Sequence, residues 1–213
     1  MFMALLSDAA RDDLHRVGTS VYHRRGQDLA RAGTALDAVH VIDSGWVKLW
    51  APRDGAEQIL DLMGPGALLG DVEFTGDRPH LCHVTALTDV RATAVSRDAF
   101  AALAEDHPEI YRALARSITA RFRDEYALLT AHQARQRLGV LLGRLADRYG
   151  RTTPDGLVHV AVPLTRTLLA RWARLTTAAS GRIVTRSFGS DVQFRAEGLL
   201  LRRESLTTPE EDL

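Results

Sequence analysis

The sequence has very little of what would cross-link a chain or insert it into a membrane. Only one of its 213 residues is a cysteine, Cys82, which excludes an internal disulfide and a four-cysteine cluster such as an iron–sulfur site. No apolar run reaches the ~20 residues that a membrane-spanning helix requires. The opening residues, MFMALLSDAARDD, turn acidic too early for a secretory signal. We therefore expect a reducing, cytoplasmic location and no membrane partner.

Positive and negative side chains balance over the whole chain but not along it. The formal net charge is +0, yet residues 1–134 carry a net −5, residues 135–206 a net +8 and residues 207–213 a net −3. A basic third attached to an acidic body is typical of a nucleic-acid partner for that third alone. An ordinary solvated basic surface is the alternative.

A stretch inside the basic third has a pattern of its own. Residues 164–188 read LTRTLLARWARLTTAASGRIVTRSF, with apolar residues at helical spacing on both sides of a tight turn. A helix followed by a second helix with a small, polar and basic face is the helix-turn-helix plan for double-stranded DNA. Thr165 and Thr176 are expected to cap the first and the second helix. A packed helical hairpin without a DNA role is the alternative. The candidate DNA-contacting residues are Thr165, Arg166, Thr176, Thr177, Ser180, Arg182 and Arg186.

The first half of the chain has a different residue pattern. Short strand-like runs at 21–22, 39–42, 47–50, 58–62, 83–87 and 91–95 are separated by glycines, which predicts an antiparallel barrel or sandwich. Helices are predicted at 7–17 and 97–105, with Ser7 and Ser96 as caps. The glycine-rich segment 66–81 is either an anion site made of exposed N–H groups or a plain barrel corner.

A long helix is predicted to connect the two halves. Its apolar residues recur at spacings of three and four, which suits a second copy of the same helix; packing against its own β domain is the alternative. The pattern breaks near residues 131–134, where we expect a hinge, so the predicted domains are 1–109, 110–134 and 135–213. The predicted dimerisation residues are Tyr111, Leu114, Ile118, Phe122, Tyr126 and Leu129.

Beyond the break, the sequence predicts a second helix that ends at Tyr149-Gly150, a short strand at 158–162 and a hairpin wing at 192–195 and 198–202. The acidic residues 207–213 are expected to fray.

Four blocks in the first half resemble those of a known family. YHRRGQ at 22–27, IDSGWVK at 42–48, GPGALLGD at 64–71 and VTALTDV at 84–90 occur in order, before the long helix and the helix-turn-helix. Over about residues 5–206 the chain resembles the CRP/FNR family of bacterial transcription regulators, the cyclic-AMP receptor protein and its relatives. The resemblance implies an α+β fold: a cyclic-nucleotide-binding-type β-roll, a long dimerisation helix and a C-terminal winged helix-turn-helix.

The resemblance also implies an effector pocket, but the sequence departs from it. In cyclic-AMP-binding members a Gly-Glu pair meets the ribose, an Arg-Ser pair holds the phosphate and a Thr-Ser pair on the long helix reads adenine. Because the Leu81 side chain cannot hydrogen-bond a phosphate, we expect no ordinary cyclic-AMP binding; the effector is unknown, or there is none. The candidate pocket residues at these positions and beside them are Gly70, Asp71, Arg78, His80, Leu81, Phe122 and Arg123.

The reading helix departs from the family pattern as well. Arg174 stands where the turn glycine is expected, Thr177-Ala178 replaces the base-reading Arg-Glu pair, and Gly181 lies inside the helix. The operator of the family therefore cannot be transferred to this chain.

Taken together, the patterns predict a dimeric DNA-binding transcription regulator controlled through its β-roll. The expected partners are a palindromic operator, a second copy of the chain and, as candidates, RNA polymerase and a small-molecule effector. The alternative is a regulatory module that has lost specific DNA binding and acts through protein contacts. No nucleophile–base set indicates an enzyme. No metal site is expected, because Cys82 and His83 point to opposite sides of a strand.

Overall fold

The computed structural model describes residues 1–206; the predicted frayed tail, 207–213, lies outside them. The chain divides into two compact units, one of residues 1–121 and one that starts at Phe122. Each helix within the described residues is too short or too polar to cross a bilayer.

The first unit contains two four-stranded antiparallel sheets, as the glycine-separated runs predict. Its strands are β1 (Thr19–His23), β2 (Asp28–Ala30), β3 (Ala38–Ser44), β4 (Val47–Arg53), β5 (Ala56–Met63), β6 (Leu68–Leu69), β7 (His83–Ala86) and β8 (Val90–Ser96). One sheet has the order β1–β8–β3–β6 and the other β2–β7–β4–β5. Alternate residues of both sheets meet in a core that includes Ile42, Val47, Val84 and Val90.

Helices cover the outer side of the first sheet. They are α1 (Asp8–Val17), α2 (Asp71–Gly76), α3 (Arg97–Asp106) and α4 (Glu109–Thr130). The hydroxyls of Ser7 and Ser96 accept the N–H groups of Ala10 and Ala99 at 3.2 and 3.3 Å, which confirms both predicted caps. A second core, which includes Leu14, Phe100, Ile110 and Leu114, holds these helices to the sheet.

The turn between β3 and β4 needs a glycine. Gly45 has a φ of +90°, and a Cβ at this position would lie 2.2 Å from the carbonyl oxygen of Asp89. Both the backbone conformation and the close approach exclude a side chain.

The second unit has the predicted helix pair and hairpin wing. Its elements after α4 are α5 (Ala134–Tyr149), β9 (Arg151–Thr152), β10 (Val158–Val160), α6 (Arg166–Trp172), α7 (Thr177–Ile183), β11 (Val192–Arg195) and β12 (Gly198–Leu201). The strands form one antiparallel sheet in the order β11–β12–β10–β9. After α7 the backbone widens into a π-helical turn, Val184–Phe188. The predicted break after α4 is confirmed, because α5 begins at Ala134.

The turn between α6 and α7 adopts a conformation that suits glycine but contains Arg174, whose φ is +57°. An L-residue in the left-handed region costs about 1–2 kcal/mol. The sequence departure at this position is therefore also a point of backbone strain.

We expect Arg174→Gly to raise the free energy of unfolding by about 0.5–1 kcal/mol, because relief of the left-handed strain exceeds the additional entropy of a glycine in the unfolded chain. Urea unfolding of the full chain measures the change. The matched control is Arg171→Gly in α6, which should lower stability by roughly 0.5–1 kcal/mol through lost helix propensity. Similar destabilisation by both substitutions would contradict the strain at Arg174.

Candidate nucleic-acid interface and effector pocket

Side-chain caps and a buried tryptophan fix the two reader helices, α6 and α7. The Thr165 hydroxyl accepts the N–H of Leu168 at 3.1 Å, and the Thr176 hydroxyl accepts the N–H of Ala179 at 3.2 Å. Both caps confirm the sequence prediction, and each contributes about 1 kcal/mol to helix stability. Trp172 is fully buried beneath the turn.

The outward face of α7 differs from the predicted face at one residue. Ser180 is only 1% exposed, so its predicted DNA contact is wrong. The physical reason is spacing: Ser180 lies four residues before Val184 and eight before Phe188, and all three share the buried side of the helix.

The remaining predicted residues of the reader helices are exposed. Neither Arg182 nor Arg186 forms an ion pair with any of the described residues, so both guanidinium groups are available to an external anion. Thr185 lies between them on the same face and was missed, although its spacing of three from Arg182 was a usable signal. The exposed side chains are Thr165, Arg166, Thr176, Thr177, Arg182, Thr185 and Arg186.

The wing contacts the first reader helix through an arginine. The Arg166 guanidinium lies 5.1 Å from the ring centroid of Phe194 in β11, a cation–π contact. Arg202, at the end of the wing, pairs with Asp191 at 3.1 Å. Arg166 therefore keeps its charge at the surface while its position is constrained.

Two arginines of α5, one of them buried, support the reader helices from behind. Arg137 of α5 donates to the carbonyl oxygen of Ala173, in the reader turn, at 3.3 Å. Arg144, which is almost fully buried, donates to the Glu125 carboxylate at 3.0 Å and lies 5.7 Å from the ring centroid of Trp172. These contacts join α5 to the C-terminal parts of α4 and α6 within the second unit.

The glycine-rich segment of the first unit contains a buried carboxylate that is paired with an arginine. Asp71, 1% exposed, accepts a hydrogen bond from Arg121 of α4 at 2.6 Å. Its other oxygen accepts the N–H of Val72 at 2.9 Å. Burial raises the pKa of the Asp71 carboxyl, and the Arg121 guanidinium opposes that shift. Gly70 starts this corner with a φ of +87°, and a Cβ there would lie 2.7 Å from Leu36.

A second buried carboxylate faces the loop after α2. Glu73 accepts the backbone N–H of Leu81 at 3.2 Å, and its carboxylate lies 3.7 Å from Nδ1 of His80. The His80 backbone is itself fixed, because its N–H donates to Thr34 at 2.9 Å and its carbonyl accepts from Gly33 at 2.8 Å.

The structure assembles only part of the predicted pocket. Gly70 and Asp71 form the buried corner that pairs with Arg121, and His80 faces Glu73, whereas Arg78 is exposed. Leu81 contributes its N–H alone, since the residue is 66% exposed.

The predicted contributions of the long helix, Phe122 and Arg123, have exposed side chains. The α4 residue that pairs with Asp71 is Arg121, one position earlier, because an alignment without gaps does not determine helix rotation. Arg121 and Glu73 were both missed, and the sequence carries no signal for either pairing.

The thiol beside this pocket does not indicate a metal site. Burial, with a smaller contribution from the Glu73 charge, raises the pKa of the Cys82 thiol to about 11, so it stays protonated at neutral pH. Across residues 1–206, no three His, Cys, Asp or Glu side chains are grouped closely enough to hold a metal ion.

The apolar stripe of α4 is exposed over most of its length but not at every predicted residue. Leu114 is only 2% exposed and belongs to the helix core of the first unit, so its predicted dimer contact is wrong. The first turns of α4 must cover the sheet, and Leu114 lies on that side. Ile118 is half-buried. The large side chains that remain exposed are Tyr111, Phe122, Tyr126 and Leu129.

Comparisons with known proteins agree with this architecture. Residues 20–107 match the cyclic nucleotide-binding domain family. The CRP-like cAMP-activated global transcriptional regulator of Mycobacterium tuberculosis is 33% identical over 152 residues, which cover 69% of this chain and 67% of that protein. This relative is a transcriptional regulator, not an enzyme.

Two solved structures share the fold. FixK2 from Bradyrhizobium japonicum superposes with a TM-score of 0.72 at 19% identity, over 89% of this chain and 96% of that chain. A cyclic nucleotide-binding domain containing protein from Listeria monocytogenes superposes with a TM-score of 0.73 at 17% identity, over 93% and 96%. With the β-roll, the long helix and the winged helix pair in place, the chain belongs to the CRP/FNR family of transcription regulators.

Proposed function

We propose that the protein is a homodimeric DNA-binding transcription regulator that is controlled through its β-roll. The observation that carries the proposal is the outward face of α7 and of the π-helical turn after it, where Arg182 and Arg186 are exposed without an ion-pair partner among the described residues. They lie in a segment of net charge +8. A capped helix pair with a wing and an uncompensated basic face fits the phosphates and groove of DNA.

The contacts divide into two kinds. Thr165, Arg166, Arg182 and Arg186 are assigned to phosphates, which position the protein on the duplex. Thr176 and Thr177, at the start of α7, are assigned to the groove. Base readout by hydroxyls replaces the bidentate arginine–guanine contact that this sequence lacks.

We assign the contact with a second copy of the chain to the exposed stripe of α4. Tyr111, Phe122, Tyr126 and Leu129 place large apolar side chains in water along one side of a 22-residue helix, and an exposed apolar patch of this size marks an interaction surface. Two parallel copies of this helix give a two-fold axis, and the operator is then palindromic.

The effector differs from that of the Mycobacterium tuberculosis relative, whose name describes it as cAMP-activated. Here His80 and Leu81 stand where a cyclic phosphate needs an arginine and a hydroxyl. We therefore assign control to an effector other than cyclic AMP, or to none, with RNA polymerase as a candidate downstream partner.

Genome-wide DNA selection with the purified protein, at stated salt and without ligand, should yield a palindromic site. On that site we expect Arg182→Ala to weaken binding and to reduce the slope of log affinity against log salt by about 1, if the arginine holds one phosphate. The control is Arg91→Ala, an exposed arginine in β8 of the β-roll. Unchanged affinity would remove Arg182 from the interface. If no site is enriched with or without cyclic nucleotides, the protein-contact module becomes the better reading.

We expect Leu129→Glu to convert the dimer to monomer, because the substitution places a charge on the apolar stripe. Leu129 is 72% exposed, so the folded monomer should tolerate it. Sedimentation velocity measures the mass, and Ala120→Glu, exposed on the opposite side of α4, is the control. A dimer that survives Leu129→Glu would place the interface elsewhere.

A further inference from the structure

The β-roll pocket contains an anion of its own. Anions bind where backbone N–H groups and basic side chains converge, and the loop after α2 offers the N–H of Leu81 and the imidazole of His80. The Glu73 carboxylate already occupies that position, 3.2 Å from the Leu81 nitrogen and 3.7 Å from His80 Nδ1.

The loop that carries these donors is held in place. Both backbone polar groups of His80 are hydrogen-bonded to residues 33 and 34, and Glu73 is itself buried. A ligand anion therefore cannot gain access by a simple shift of the loop. It would have to displace Glu73 or lie beside its charge.

The other charges of the pocket do not offset Glu73. Asp61 and Asp71 are also buried carboxylates, and the nearby guanidinium, Arg121, is already bound to Asp71. The negative field extends to the Cys82 thiol, where the charges of Glu73 and Asp61 add to burial in raising the pKa and Arg121 opposes them. A phosphate diester would add a further negative charge at this site.

We propose that Glu73 is the specificity-determining residue of the β-roll pocket: its carboxylate occupies the anion position at Leu81 and His80 and excludes phosphate-bearing effectors. The inference rests on the proposed role of the β-roll as the control site. It narrows the effector to a neutral or cationic molecule, or to no molecule at all.

Calorimetric titration of the full chain with cyclic AMP tests the inference. We expect no binding by the wild type and little by His80→Arg, because the new arginine would pair with Glu73. The double variant Glu73→Ala/His80→Arg should bind at least about tenfold more tightly than His80→Arg alone, since it removes a like charge from the phosphate position.

The matched control is Asp77→Ala/His80→Arg. Asp77 is an exposed carboxylate on the same loop that pairs with Arg97 at 2.8 Å, so its removal changes the loop charge equally without opening the pocket. It should bind no better than His80→Arg. Equal affinity of both double variants, no binding by a folded Glu73→Ala/His80→Arg protein, or binding of cyclic AMP by the wild type would overturn the proposal.

Two further measurements keep the test decisive if Glu73→Ala does not fold. Glu73→Gln/His80→Arg retains the volume and one acceptor while removing the charge, and should show the same gain. In the wild type, the Leu81 amide resonance should stay unmoved when inorganic phosphate is added; a saturable shift would show that the anion position is open. Since no DNA is present, these results stand apart from success or failure of the operator experiment.

Discussion

The ion pair between the buried Asp71 carboxylate and the partly exposed Arg121 guanidinium is the constraint on which the first unit depends. Removing the guanidinium leaves an uncompensated buried charge, which costs about 3–5 kcal/mol where both partners are buried and less here, whereas a well-packed apolar pair could replace both at little loss. The pair therefore determines the position of α4 more than it adds to the free energy of unfolding. It requires that α4 present Arg121 at the corner that Gly70 begins, and this requirement fixes the rotation of the helix about its axis.

That rotation decides which faces of α4 are left for function. Ile110 and Leu114 point into the core of the first unit, whereas Tyr111, Phe122 and Leu129, on the neighbouring side of the helix, are exposed. The last turns of the same helix hold Arg144 through Glu125. An allosteric signal requires differential binding to two states. Arg121, which pairs with Asp71, and Glu125, which pairs with Arg144, are four residues apart on the same helix, α4.

The sequence predicts elements well where a local rule decides them. Ser7, Ser96, Thr165 and Thr176 cap helices because a hydroxyl before an apolar-periodic run has one favourable role, and Gly45 lies at a turn that only glycine can make. The two reader helices and the wing follow from periodicity and turn residues alone. These features need no knowledge of distant parts of the chain.

The site residues depend on rotation and distance, which periodicity does not fix. The apolar stripe of α4 is evident from its helical spacing, but the sequence does not show that Leu114 packs in the core against the sheet. Ser180 is small and polar, yet it shares the inward side with Val184 and Phe188. Arg121 and Glu73 were missed because their importance comes from partners 50 and 8 residues away along the chain. Only the folded backbone brings these pairs together.

The reader helix poses a separate problem of specificity. Each bidentate arginine–guanine contact that a reader lacks removes about 1–3 kcal/mol of discrimination per base pair. What remains here is a face of small side chains, with Gly181 open to solvent on the Cβ side, flanked by Arg182 and Arg186. Such a face lets the backbone approach the floor of a groove closely while the arginines hold phosphates. In the proposed function, affinity then comes mainly from phosphate contacts and is sensitive to salt. Selection among sites comes from hydroxyl contacts and from DNA that adopts the required shape at low energetic cost.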